Sequence, residues 1–161
     1  MKGEKLEKAR EAVINFARLL GPGDTLSLVS FSGDAKEDFT NLSSTDQARI
    51  ASIVRQLDLA WSGTNLHGAM GRAYQLARKG RSQSSRLIVL TDGQANVGPN
   101  DLGSFQAQVE PARKEGITTS CYGVGSDYDG QFLAGIAKAG GGNHRFIDNP
   151  AQVTSYFQQE L

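Results

Sequence analysis

The sequence predicts an α/β domain of three layers, in which a mostly parallel open sheet carries helices on both faces. Segments with strand-like patterns alternate with segments of helical periodicity along the whole chain. The uninterrupted apolar run Leu87–Leu90 is typical of a strand that is buried on both faces. The length of 161 residues is that of one domain, and we expect a single unit over residues 1–161.

The first 43 residues predict a helix followed by two strands. Gly21-Pro22-Gly23 ends a helix, Leu26–Phe31 forms a strand, and Lys36–Thr40 forms a short polar strand at an antiparallel edge of the sheet. The helix is indicated by an apolar stripe with steps of three and four residues: Leu6, Ala9, Val13, Phe16, Ala17 and Leu20.

Two further helices are predicted before the central strand. Ser44 and Gln47 have the spacing of a capping box, with Ile50 and Val54 on one face of the helix that follows. The next helix ends at Gly80, and its inward residues are mostly small, which allows close packing on a sheet: Leu66, Ala69, Met70, Ala73 and Ala77.

The second half of the chain continues the alternation. Pro111 should kink or shorten the helix in which it lies, because it lacks a backbone donor. Asn149-Pro150 should cap a last helix with the stripe Val153, Phe157 and Leu161. The remaining predicted elements are a helix over Asp101–Lys114, a strand over Ile117–Val124, a helix over Asp129–Ala139 and a strand over Asn143–Ile147.

The charge balance and the single cysteine exclude several classes of protein. Lysine plus arginine equals aspartate plus glutamate at 17 each, so no net field attracts nucleic acid or anionic lipid. Cys121 by itself can form neither an internal disulfide nor a thiolate zinc site. The sequence has neither a signal-peptide core after Met1 nor a membrane-spanning apolar run, so we expect no membrane insertion, and the compartment stays open.

Polar residues follow the predicted apolar strands and should converge at the carboxyl edge of the sheet. They are Ser32–Asp34, Thr91–Gly93 and Gly123–Asp127. The loop 61–65, which leads into a helix, should lie at the same edge. A carboxylate at Asp92 and a hydroxyl at Thr64 would give oxygen-only ligation, which suits Mg²⁺ or Mn²⁺. The alternative is purely structural: Thr64 or Asn65 caps a helix, and Asp92 caps a turn.

Four segments resemble the von Willebrand factor type A (vWA) domain, most closely its bacterial stand-alone versions. They are Leu28–Ser32, Ser62–Leu66, Leu87–Gly93 and Tyr122–Asp127, and the resemblance extends over nearly the whole chain. It implies a Rossmann-like sheet wrapped by helices, and adhesion or protein binding through a metal-ion-dependent adhesion site (MIDAS). In such a site the protein ligands hold magnesium, and an acidic side chain of the partner fills the open position.

The sequence departs from this family at its start. The family's Asp-x-Ser-x-Ser motif follows the first strand, and nothing precedes Met1 here, so the domain is expected to be N-terminally truncated. Thr64 and Asp92 match the remaining ligands, and we expect weak binding of Mg²⁺ or Mn²⁺, or none.

The missing strand belongs between Leu26–Phe31 and Leu87–Leu90 in the family's sheet. An empty slot would leave buried strand edges without partners. We therefore expect the neighbouring strands to close up and pair directly, or a strand from another copy in a homodimer or from a separate peptide to fill the slot. In the full gene we expect the native upstream strand to fill it.

The function predicted from these residues is a non-enzymatic interaction or adhesion module with an incomplete metal site. The alternative is a metal-independent structural or scaffold domain. A hydrolase using His67 or His144 is less favoured, because no Gly-x-Ser-x-Gly elbow occurs.

Other motifs have structural explanations that compete with functional ones. Tyr128 stands where a dinucleotide loop beginning at Gly123 would need glycine. Asp127 and Asp129 fit part of a calcium loop, although capping of the next helix is favoured. Trp61 either anchors a partner or packs on a helix. The basic residues Arg78, Lys79, Arg81 and Arg86 form a patch better explained as a solvated helix end.

Overall fold

A computed structural model describes residues 1–59, 62–80 and 84–160 of the chain. Helices and strands alternate through these residues as the sequence predicts. In chain order they are α1 (Gly3–Leu19), β1 (Thr25–Phe31), β2 (Ala35–Ser43), α2 (Gln47–Arg55), α3 (Leu66–Lys79), β3 (Ser85–Thr91), α4 (Leu102–Lys114), β4 (Ile117–Val124), α5 (Gly130–Ala139), β5 (Gly141–Ile147) and α6 (Pro150–Gln158).

The strands of the described residues form two sheets. β1 and β2 pair antiparallel, whereas β3, β4 and β5 form a parallel sheet in that order. β2 is the predicted antiparallel edge strand, extended at both ends. The expectation that β1 and β3 close up into one five-stranded sheet is wrong for this structure. Helix α3 packs against both strands and spans the gap between them.

Alternation along the strands divides the core between two faces. Val89, Ile117 and Cys121 belong to a cluster with α3, α4 and α5 on one face. Tyr122 and Val124 belong to a cluster with α1 and α6 on the other. Val89 is 5% exposed, as predicted, whereas Leu87, Ile88 and Leu90 of the same predicted buried run are only half-buried. The third cluster joins α1 and α2 to the antiparallel pair.

Side-chain caps begin most of the helices after the second. Asn65 accepts from the N–H of Gly68, Asp101 from that of Ser104, and Asp129 from that of Phe132. A complete capping box at Asn149 opens α6. All four caps are aspartate or asparagine residues that the sequence analysis had placed at or beside helix starts.

Two local predictions are wrong. Ser44 does not form a capping box: α2 begins one residue after Asp46, and the Gln47 side chain donates to the carbonyls of Ala17 and Ser44. The Gln47 side chain does reach back to Ser44, but it donates to the carbonyl and does not accept from the backbone N–H, as a capping box requires. Pro111 does not shorten its helix, because it lies near the end of α4, which continues to Lys114; the alternative, a kink at Pro111, stays a prediction.

Candidate functional site

The carboxyl ends of β1 and β3 meet at the loop that leads into α3. The N–H of Asn65 donates to the carbonyl of Ser32 at 2.6 Å, and its side chain donates to the carbonyl of Gly33. Gly63 has a φ of +94°, and a Cβ there would lie 3.1 Å from the Cα of Gly33. Glycine therefore lets the loop pass directly against the end of β1.

Thr64 is fixed by the segment that follows β3. Its N–H donates to Oδ1 of Asn96 at 2.7 Å, and its carbonyl accepts from the N–H groups of Asn96 and Val97 at 3.1 and 3.3 Å. The hydroxyl lies 3.9 Å from the position that a Cβ on Gly93 would take. These contacts leave the threonine side chain half-buried at the crevice rather than used as a helix cap.

Asp92 faces the same crevice and already has a cationic neighbour. Its Oδ2 lies 3.7 Å from the ammonium of Met1, and its side chain is 24% exposed. Thr64, Asp92 and Met1 all line one cavity. The two residues that the sequence singled out as metal ligands thus both line this cavity.

The third predicted crevice segment is covered by α1. The Lys5 side chain lies across Gly125 and forms an ion pair with Asp127. This hydrogen bond raises the pKa of the Lys5 ammonium, and the charges of Asp127 and Asp92 act in the same direction. Asp127 therefore pairs with a lysine, and Asp129, as favoured, caps α5 rather than completing a calcium loop.

The oxygen donors at this edge do not suffice for a divalent cation. Hard cations such as Mg²⁺ prefer about six oxygen ligands and rely on carboxylates. In the described part of the chain, no group of three His, Cys, Asp or Glu residues is placed to hold a metal ion. One carboxylate and one hydroxyl do not fit a magnesium centre by themselves.

The two histidines have structural surroundings. His67 lies against the edge of the Phe105 ring, and its Nε2 is 3.4 Å from the carbonyl of Ser104. The rings of His144 and Tyr128 make an edge-to-face contact. The pKa of His144 is lowered, mainly by burial and to a smaller extent by the charge of Arg145. Among the described residues, neither imidazole has a hydrogen bond to a serine hydroxyl, as a serine hydrolase would need.

The basic patch is partly neutralised by acidic partners. Arg78 forms a bidentate pair with Glu115 at 2.6 and 3.1 Å, and Arg86 lies 3.6 Å from Glu160. Arg81 and Trp61, which the sequence analysis also singled out, lie outside the described residues.

A buried carboxylate near the end of the chain was missed by the sequence analysis. Glu160 is 1% exposed and accepts hydrogen bonds from Ser120, Tyr122 and Asn143 at 2.9, 2.8 and 2.9 Å. The only signal was its spacing, since it continues the stripe of Val153 and Phe157 by three residues. A charged residue on an apolar face indicates a partner network, and that inference was available from the sequence.

A protein-family comparison accounts for this arrangement. The model for the von Willebrand factor type A domain matches residues 1–160. The chain belongs to the von Willebrand factor type A family. vWA domains are commonly modules of protein–protein interaction or adhesion, mainly without enzymatic activity.

Individual relatives agree with this assignment. The chain is 30% identical to the uncharacterized protein YfbK of Escherichia coli strain K12 over 98% of its own length and 28% of that protein. It therefore spans less than a third of this vWA relative.

Two solved structures support the fold. A von Willebrand factor type A structure from Catenulispora acidiphila superposes with a TM-score of 0.81 at 24% identity, covering 96% of this chain and 37% of that one. Proximal thread matrix protein 1 from the mussel byssus was solved with a zinc-occupied MIDAS motif. It superposes with a TM-score of 0.73 at 16% identity, covering 97% of this chain and 42% of that one.

None of the described helices is both long enough and apolar enough to cross a bilayer.

Proposed function

We propose that this vWA chain is a non-enzymatic protein-interaction or adhesion module whose metal site is incomplete as the chain stands. The observation that carries the proposal is the shared crevice of Thr64 and Asp92, at the edge of the sheet where the strands β1 and β3 end. A protein partner that offers an acidic side chain would add a further oxygen ligand there.

The proposal distinguishes metal alone from metal with an acidic partner. A ligand that binds only the folded state stabilises it by RT ln(1 + [L]/Kd), which is about 0.4 kcal/mol when the ligand concentration equals Kd. For a domain of this size that corresponds to a melting temperature about 1 to 2 °C higher. Because the site offers only two protein oxygens, we expect Mg²⁺ or Mn²⁺ alone at about 10 mM to raise the melting temperature by no more than this amount.

The test is thermal melting with Mn²⁺, with a glutamate-containing peptide, and with both together. We expect a clear rise only for the combination, and its loss in the variants Asp92→Asn and Thr64→Val. Asp148→Asn, which removes an exposed carboxylate far along the chain, is the matched control. A large rise with metal alone that Asp92→Asn abolishes would show that the site is complete, contrary to the proposal.

A metal-independent scaffold domain is the second candidate. The contacts of Thr64 favour it, because Asn96 binds its backbone N–H and the described residues place no group of three His, Cys, Asp or Glu side chains to hold a metal ion. This function predicts no response to metal, to the acidic peptide or to their combination.

A further inference from the structure

Three aromatic rings hold the loop 125–129 between β4 and α5. The ring of Tyr128 stacks on that of Phe146 with centroids 6.1 Å apart, and it meets the imidazole of His144 edge-to-face at 5.9 Å. Gly123 on β4 makes room for Tyr128, because a Cβ there would overlap the ring. The position of the loop therefore depends on where the Tyr128 ring rests.

The imidazole of His144 has a buried nitrogen without a partner. The side chain is half-buried on β5, and its Nε2 has no hydrogen bond among the described residues. A neutral imidazole tolerates this, because the tautomer with its proton on Nδ1 places only a lone pair at Nε2. The imidazolium form would place an N–H there, which is a buried donor without an acceptor.

The other histidine of the chain has the acceptor that His144 lacks. Nε2 of His67 lies 3.4 Å from the carbonyl of Ser104, so an imidazolium at this position could donate to it. Both histidines meet one aromatic ring edge-to-face, Phe105 for His67 and Tyr128 for His144. Since the chain has two histidines in all, His67 is a matched internal control.

The positive charges next to His144 oppose its protonation. Burial has the largest effect in lowering the pKa of the imidazole, and the charge of Arg145 on the same strand acts in the same direction. The first turn of α5 also packs against the ring, since a Cβ on Gly130 would lie 3.8 Å from its Cε1. A helix carries positive partial charge at its N-terminal end, which again disfavours an imidazolium.

The remaining titratable groups near the ring are neutral or have other partners. Burial raises the pKa of the Cys121 thiol, which lies beside His144 in the sheet register, and that of the Tyr128 hydroxyl. Of the two carboxylates in the loop, Asp127 pairs with Lys5 and Asp129 caps α5. The surroundings of His144 within the described part of the chain therefore favour the neutral ring.

The loop connects this ring contact with the candidate site. Its first part, Gly125–Asp127, is the third segment at the carboxyl edge of the sheet, beside the crevice of Thr64 and Asp92. Its last residue, Asp129, accepts from the N–H of Phe132 at 3.0 Å. Because Tyr128 lies between these two parts, movement of its ring would displace both the edge of the crevice and the cap of α5.

We propose that His144 is an acid-sensitive latch, whose protonation releases the Tyr128 ring and opens the loop 125–129 at the edge of the candidate site. The open imidazole is solvated and binds a proton at the ordinary pKa of about 6.5, whereas the closed one binds it less readily. Falling pH therefore favours the open state, by up to about tenfold per pH unit below 6.5. As regulation of partner binding the latch rests on the proposed function, but the opening of the loop does not.

The experiment follows amide exchange of the Phe132 N–H by NMR between pH 7.5 and 5.5, without metal or peptide and corrected for the intrinsic pH dependence of exchange. Histidine is the side chain that ordinarily titrates in this range. We expect the protection of Phe132 to fall about three- to tenfold as the pH falls. The N–H of Ser104 has the same kind of cap, from Asp101, and should not lose protection.

Three variants assign the effect to one imidazole. His144→Phe keeps a ring against Tyr128 but cannot bind a proton, so it should keep the protection at pH 7.5 and abolish the pH dependence. His144→Gln is a second variant that does not titrate, and it too should abolish the dependence. His67→Phe, the matched control, should leave the dependence as it is in the original protein.

Three results would overturn the latch. They are a pH dependence that persists in both variants of His144, one that disappears in His67→Phe, and an equal loss of protection at Phe132 and Ser104.

The effect on the site is measured separately. Stabilisation by Mn²⁺ with the glutamate-containing peptide should be smaller at pH 5.5 than at pH 7.5, and equal at both in His144→Phe. Equal stabilisation at both pH values in the original protein would overturn the regulatory role. If the loop opens in acid and the combination stabilises at neither pH, the proposed function fails while the latch stands.

Discussion

The buried carboxylate of Glu160 should be one of the main contributors to the stability of the parallel sheet. Its two oxygens accept from Ser120 on β4, from Tyr122 on β4 and from Asn143 on β5. Burial and then Glu160 raise the pKa of the Tyr122 hydroxyl, so this donor keeps its proton. The network therefore fastens the end of α6 to two neighbouring strands.

The substitution Glu160→Ala would leave two buried donors, Ser120 and Tyr122, and the half-buried Asn143 amide without an acceptor. Each unsatisfied buried group costs about 1 to 3 kcal/mol, and such costs add incompletely within one network. We expect a loss of about 3 to 5 kcal/mol of unfolding free energy, which lowers the melting temperature by about 6 to 20 °C. Glu160→Gln keeps one oxygen in place for Tyr122 and Asn143, and should lose less than half as much.

Urea denaturation followed by circular dichroism measures these differences, with Gln158→Ala as the control because that side chain is exposed at the end of α6, two residues before Glu160. The control should change the unfolding free energy by less than about 0.5 kcal/mol. If Glu160→Ala lost no more than the control, the carboxylate would not stabilise the fold, and the argument from unsatisfied donors would be refuted.

Two further predictions concern β4. Burial raises the pKa of the Cys121 thiol to about 12, so the folded state keeps a proton that the unfolded chain releases above its ordinary value near 9. The free energy of unfolding should therefore fall by about 1.4 kcal/mol per pH unit between pH 9 and 12. Cys121→Ala should flatten this slope when stability is measured by urea denaturation at several pH values. An unchanged slope in the variant would exclude Cys121 as its source. Gly123→Ala would place a Cβ 2.1 Å from the ring of Tyr128, so the ring must move and the protein should be destabilised by more than about 2 kcal/mol. If this contact is the cause, Gly123→Ala should destabilise the Tyr128→Ala variant less than it destabilises the original protein. Equal losses of unfolding free energy in the two backgrounds would argue against the contact.

The sequence was sufficient to predict most of the elements because their signals are local. The stripe of small residues in α3, the apolar run of β3 and the aspartate and asparagine caps each depend on neighbouring residues only. The faulty capping box shows the limit of such signals, since Gln47 bonds instead to Ala17, 30 residues away. A local motif competes with tertiary contacts that its own residues do not reveal.

The candidate site was predictable in position and not in composition. Strand order predicts that Thr64 and Asp92 line one crevice. Asp92 directly follows β3, and Thr64 lies in the loop at the same edge of the sheet. The ammonium of Met1 beside Asp92 and the Lys5 side chain over Gly125 depend on how α1 docks. Docking of a helix is determined by packing over distant parts of the chain, which periodicity does not describe.

The separation of the β1–β2 pair from the parallel sheet also bears on how unfolding spreads through the molecule. Within the described residues, the β1–β2 pair shares no strand-to-strand ladder with the parallel sheet, and the two are linked by side chains of α1 and α3. Hydrogen-bonded ladders transmit opening cooperatively, whereas side-chain contacts across a cavity transmit it weakly. We therefore expect the antiparallel pair, whose strand β1 has no fully buried residue, to open at a lower free energy than the parallel sheet.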